Sequence, residues 1–182
     1  MINNHLVLVT GKSASGKSAS LRNLDKPEGV IYLNCENGKK LPFKTTFREL
    51  TITDTDQVYK AFGEAEGMKD VHTIVIDSLT YLMDMYESIR VLNSTDGYKA
   101  WGEYAQYMKV LMSQKVAKST KNVVFLAHTS DILNEAEMVN ETMVKVKGSL
   151  MNQGIESFFT CVISTKKVAM AKLEDKIAKS PL

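Results

Sequence analysis

Residues Gly11 to Ser18 read GKSASGKS, a full G-x-x-x-x-G-K-[ST] pattern. An apolar run, His5 to Val9 (HLVLV), precedes it, and a helix-compatible stretch from Lys17 to Leu24 follows. A buried strand, a glycine loop and a helix in that order form the local frame in which this pattern binds phosphate. Loop N–H groups wrap the phosphates, and the positive end of the next helix adds to the anion site. The expected nucleotide-binding residues are Gly11, Lys12, Ser13, Ala14, Ser15, Gly16, Lys17, Ser18 and Ala19. Lys17 is placed to reach the β- and γ-phosphates, and the Ser18 hydroxyl to ligate Mg²⁺. Lys12 is not fixed by the pattern, so phosphate contact and a solvated side chain are both open to it.

The rest of the chain alternates strand and helix signals. Val30 to Asn34 (VIYLN), Glu49 to Thr53, His72 to Asp77 (HTIVID), Asn122 to Ala127 (NVVFLA) and Phe158 to Ser164 read as strands. Asp54 is a plausible N-cap for a helix from Thr55 to about Gly67. Leu79, Leu82, Met83, Tyr86 and Ile89 fall at helical spacing. Trp101, Tyr104, Met108, Leu111, Met112 and Val116 form a second, longer stripe. This order predicts an α/β fold with a mainly parallel central sheet flanked by helices on both faces. Ligands then bind beyond the carboxyl ends of the strands.

The chain has 182 residues, 44% of them hydrophobic, which suits one compact domain. A formal charge of +2 supports no strong claim about a partner. Cys35 and Cys161 have neither metal nor disulfide spacing, which suits a reducing cytoplasm. The N-terminal apolar run is too short to cross a membrane, so no membrane partner is expected. Residues 1–164 read as the core and 165–182 as a lysine-rich tail. The tail reads first as a solvated end and second as a basic edge facing nucleic acid. Its abrupt SPL ending is compatible with a natural chain that continues.

Hydrolysis needs a metal anchor and a group that orients water, besides the phosphate loop. Asp77 ends its strand where a carboxylate can hold Mg²⁺ opposite Ser18. Ser78 beside it can cap the next helix. Glu36 follows the VIYLN strand at its carboxyl end and can polarise the attacking water. An ordinary surface glutamate beside the Asn37-Gly38 turn fits the pattern equally well. His128 ends the NVVFLA strand on the same rim. A polar group there can sense the γ-phosphate, and four strand ends then converge.

With these segments the chain resembles the RecA-type P-loop ATPase core. IVIDSLTYL (Ile74 to Leu82) resembles the Walker B strand of that family, and YLNCE (Tyr32 to Glu36) the segment ending in its catalytic glutamate. FLAHT (Phe125 to Thr129) resembles the strand before its γ-phosphate sensor, where His128 replaces the usual glutamine. Together with WGEYAQYMKVL, the set is most similar to phage-encoded nucleotide-binding proteins associated with single-strand annealing and recombination. The resemblance implies Mg-dependent binding and hydrolysis of ATP, with Lys17, Glu36 and His128 as catalytic residues and Ser18 and Asp77 at the metal. It implies that the sensor strand lies between the phosphate-loop and Walker B strands. It also implies that Ser130 to Gly148 faces single-stranded DNA. Lys145 and Lys147 are the candidate phosphate contacts there, and a plain edge strand with solvated lysines fits equally. That segment holds no aromatic residue, so weak binding per subunit and a homo-oligomer are expected. The implied location is the cytoplasm, that of the host for a phage protein.

Other classes fit less well. A nucleotide kinase needs an arginine-rich lid, but the arginines are only Arg22, Arg48 and Arg90. A guanine switch needs an Asn/Thr-Lys-x-Asp segment, and Thr165-Lys166-Lys167-Val168 lacks the aspartate. A nucleotide-dependent scaffold without catalysis differs from an ATPase in having no use for Glu36.

Overall fold

Four β-branched and leucine-rich runs form the centre of the sheet. The structure, a computed structural model, describes residues 3, 5–135, 137–148 and 154–171. The strands are β1 (Leu6–Gly11), β2 (Val30–Asn34), β3 (Arg48–Thr51), β4 (Thr73–Asp77), β5 (Asn122–Asn134), β6 (Val139–Val144) and β7 (Cys161–Thr165). Their order is β3-β2-β4-β5-β1-β7, with β6 off this path and paired to β5. Every pair is parallel except β5 with β6. All five residues of β2 and of β4 are buried, the pattern of parallel strands covered on both faces. β5 lies between β1 and β4, as the resemblance implied.

The two faces are covered unequally. On one, Leu8, Leu33, Ile74, Ile76, Val123 and Phe125 pack against α1 (Asp56–Gly67), α2 (Leu79–Tyr86) and α3 (Gly97–Val110). α2 and α3 each run on into a π-helical stretch, Glu87–Val91 and Leu111–Val116. The other face presents Val9, Val30, Tyr32, Val75, Val124 and Leu126. A 3-10 helix (Ser18–Asn23) brings Leu21 there, and the segment after β2 adds Leu41, Phe43 and Phe47. Among the described residues, no helix is long and apolar enough to cross a membrane.

Several boundaries differ from the sequence expectation. The helix expected over Lys17 to Leu24 is a 3-10 turn. Ser20 competes for a backbone bond: its hydroxyl donates to the Lys17 carbonyl. Asp54 accepts from the Asp56 amide, while Thr55 holds the N-cap position of α1. Ser78 holds the N-cap position of α2, but its hydroxyl makes no cap bond. β5 does not stop at His128; it continues to Asn134 and returns as β6 in register Thr129 to Val144 and Asp131 to Thr142. The expected DNA-facing loop is therefore largely a hairpin, exposed along most of β6, with Val144 buried. Of the lysine-rich tail, residues 172–182, with Lys172, Lys176 and Lys179, lie outside the described residues.

Phe125 is fully buried in β5 and meets the Phe159 ring edge-on at 5.4 Å. Phe125→Ala should lower unfolding stability by about 3–5 kcal/mol, read from urea denaturation. A loss below about 1 kcal/mol would place the core elsewhere.

Candidate active site

The parallel pairing carries the ends of β1, β2 and β4, and His128 within β5, to one rim. Gly11 is in register with His128, and Asn34 with Asp77. A cleft of about 370 Å³ opens on that rim. It is lined by Gly16, Lys17 and Ser18 of the loop, Tyr32 and Glu36 of the β2 end, Asp77 and His128. Of the nine nucleotide-binding residues expected, Ser13, Ala14, Gly16, Lys17, Ser18 and Ala19 line it. Gly11, Lys12 and Ser15 line a neighbouring cleft instead.

The loop needs its glycines. Gly16 has φ +104°, and a Cβ on Gly11 would sit 2.7 Å from the Thr165 carbonyl of β7. Ser15 is tied to the same residue by a 2.7 Å hydroxyl contact with Thr165. Lys17 is buried, and its ammonium donates to the carbonyls of Gly11 and Lys12 at 3.0 Å each. Burial pulls its pKa down; the charges of Glu36 and Asp77 oppose that pull.

His128 joins the loop to the acid. Its Nδ1 lies 3.4 Å from Lys17 Nζ, and its Nε2 lies 3.2 Å from Glu36 Oε1. The tautomer with its proton on Nε2 satisfies both contacts. The His128 main chain is held too: its N–H donates to the Thr80 hydroxyl, and its carbonyl accepts from Lys145 at 2.8 Å. Glu36 is not a solvated surface residue. Its side chain is only 9% exposed, and its second oxygen takes Lys39 at 2.9 Å. Burial pushes the Glu36 carboxyl up, but hydrogen bonds from Lys39 and His128 and the charge of Lys39 outweigh that and hold it below the usual range. The turn that presents it has Asn37 and Gly38 both in the left-handed region. Asn34 braces this turn, accepting from the Glu36 amide and donating to the Lys39 carbonyl.

Asp77 faces Ser18 across the cleft floor. Its Oδ2 accepts from Ser18 at 2.8 Å and from Tyr32 at 2.7 Å, while its buried Oδ1 has no partner. An unsatisfied buried carboxylate oxygen beside a hydroxyl fits a hard cation, which takes oxygen ligands. No cluster of three His, Cys, Asp or Glu side chains gathers to hold a metal among the described residues. A cation here would therefore be held by Ser18 and Asp77 together with phosphate oxygens, the usual arrangement for Mg²⁺.

Lys145 and Lys147 follow β6 and do not line this cleft. Lys147 is engaged: it pairs with Asp84 at 2.7 Å and with Glu87. Lys145 is exposed. Sequence reading missed Tyr32 and Lys39. The usable signal was the Lys39-Lys40 pair one turn after Glu36, and a tyrosine on the strand that Glu36 follows.

A family model described as AAA domain matches residues 3–176. A search of curated proteins found no match.

Burial pushes the Asp77 carboxyl above its ordinary range; bonds from Tyr32 and Ser18 oppose this, and Glu36 adds to the rise. An acid with a raised folded-state pKa binds its proton more tightly folded than unfolded. Its ionised form therefore costs stability above the unfolded-state value. Without nucleotide, Asp77→Asn should be more stable than the wild type near pH 7, by about 1 kcal/mol. The difference should shrink as pH falls toward about 4. Denaturant titrations at both pH values check this.

Proposed function

The chain belongs to the AAA-domain family of P-loop ATPase domains, and on that premise we propose a Mg-dependent ATPase coupled to single-stranded DNA. The observation that carries the reading is the line Lys17–His128–Glu36 across the mouth of the phosphate loop. A scaffold that only holds nucleotide has no use for an ionised, braced carboxylate there. A kinase lid is not supported either: Arg48 and Arg90 are ion-paired to Asp70 and to Asp54 and Asp56, and Arg22 lies over Phe43.

The chemistry follows from the positions. Loop amides and Lys17 bind the phosphates and neutralise charge that moves onto them. Ser18 and Asp77 would hold Mg²⁺, which supplies charge stabilisation at the β- and γ-phosphate oxygens. Glu36, kept ionised, accepts a proton from water as the water oxygen bonds the γ-phosphorus. The bond from that phosphorus to the bridging oxygen breaks, and ADP leaves with the electron pair. Lys39 holds Glu36 in position.

His128 then reports the γ-phosphate to the hairpin. Its ring touches Lys17 and Glu36, and its carbonyl takes the Lys145 amide. A shift of the ring is thereby transmitted to an exposed lysine suited to a DNA phosphate. Lys147, neutralised by Asp84 and Glu87, is less suited. The RecA-like motif set favours a role in phage-type recombination, annealing or repair, in the host cytoplasm. Several subunits along one strand would offset weak contact by each.

Lys17→Ala should abolish most ATP binding in a folded protein, read by calorimetry. Glu36→Gln should keep Mg·ATP binding and slow hydrolysis by about 10² or more. Normal turnover in Glu36→Gln would move catalysis to another acid. Single-stranded DNA affinity should rise with ATP over ADP or no nucleotide, and fall with salt. No binding at low salt in any state would remove the DNA reading.

A further inference from the structure

A second cleft, of about 450 Å³, adjoins the first and shares Ser13 with it. Its lining includes Lys12 of the loop, Thr129, Asp131 and Thr142 of the hairpin, and Lys166 and Lys167 after β7. Three lysines stand against one carboxylate, a formal excess of two positive charges (3 − 1). The carboxylate is already committed: Asp131 takes Lys12 at 2.5 Å and the Thr142 hydroxyl at 2.9 Å. Neither Lys166 nor Lys167 is in a salt bridge among the described residues. Thr129 Oγ1 is buried with no partner.

We propose that this second cleft binds the phosphodiester backbone of single-stranded DNA, through Lys166, Lys167 and the hydroxyls between them and the hairpin. The proposal rests on the DNA-dependent reading above and names its main contact surface, which the sequence had assigned to Lys145 and Lys147. Ammonium groups outside salt-bridge distance of a carboxylate, beside hydroxyl groups, suit phosphate oxygens. No aromatic side chain lines the cleft, so bases are not stacked there and the strand is held by its backbone. The cleft is also wired to the nucleotide. Ser13 borders both clefts, and Thr129 directly follows His128. Movement of either on binding the γ-phosphate reshapes the DNA cleft. Asp131 sets a limit on affinity by holding Lys12 and repelling the strand.

The test is fluorescence anisotropy of a labelled oligo(dT) with Mg·ATP, titrated with salt. Lys166→Ala/Lys167→Ala changes two exposed residues outside the nucleotide cleft, so ATP binding should be unchanged. DNA affinity should fall about tenfold at low salt, and the log–log salt slope should flatten by about 0.7 per lost phosphate contact. Lys166→Arg/Lys167→Arg should restore both. Asp131→Asn should raise affinity. Wild-type binding that is unchanged in the double-alanine variant would overturn this site and leave the DNA-dependent function standing. Wild-type protein that binds no oligonucleotide would overturn both. Displacement of the oligonucleotide by inorganic phosphate at equal ionic strength would make the cleft a free-phosphate site and overturn the strand assignment.

Discussion

The site depends on strand register. Parallel pairing sets Gly11 level with His128 and Asn34 level with Asp77. A slip of one residue in any of these pairs would turn each side chain to the opposite face of the sheet. Because β1, β2, β4 and β5 all run the same way, the last residues of β1, β2 and β4 share one rim with His128 of β5. Lys17, His128 and Glu36, far apart in sequence, are thereby brought into one line of contacts, and Ser18, Tyr32 and Asp77 into another. No single loop could assemble them without more ordering entropy.

The rim stores unfavourable burial. Lys17 and Asp77 are both taken out of water, and neither has a direct ion-pair partner at salt-bridge distance among the described residues. Lys17 makes do with loop carbonyls, and Asp77 with two hydroxyls and an unsatisfied oxygen. Such a site is complementary to phosphate and a cation rather than to itself. Stability given up here is supplied by the rest of the sheet, where Leu8, Leu33, Ile74, Ile76 and Phe125 are fully buried.

Much of this was legible in the sequence because the signals were local. The GKSASGKS loop, the apolar runs within β2 and β4 and the polar residue closing each of those two strands are readable residue by residue. Glu36 was ambiguous in sequence because a surface turn and a catalytic carboxylate look alike beside Asn37-Gly38. The long-range contact with His128, 92 residues away, takes Glu36 out of the solvated-turn class. The hairpin was not legible as such: NVVFLAH looks complete, and strand continuation beyond it depends on pairing with Val139–Val144. Lys147 was unreadable for the same reason, since its partners Asp84 and Glu87 sit on another element.

The most direct measurement is steady-state ATP turnover with and without Mg²⁺ and with and without single-stranded DNA. The expected result is turnover that requires Mg²⁺ and accelerates when DNA is added. Tight ATP binding with no turnover under any of these conditions would contradict it and leave a nucleotide-dependent scaffold.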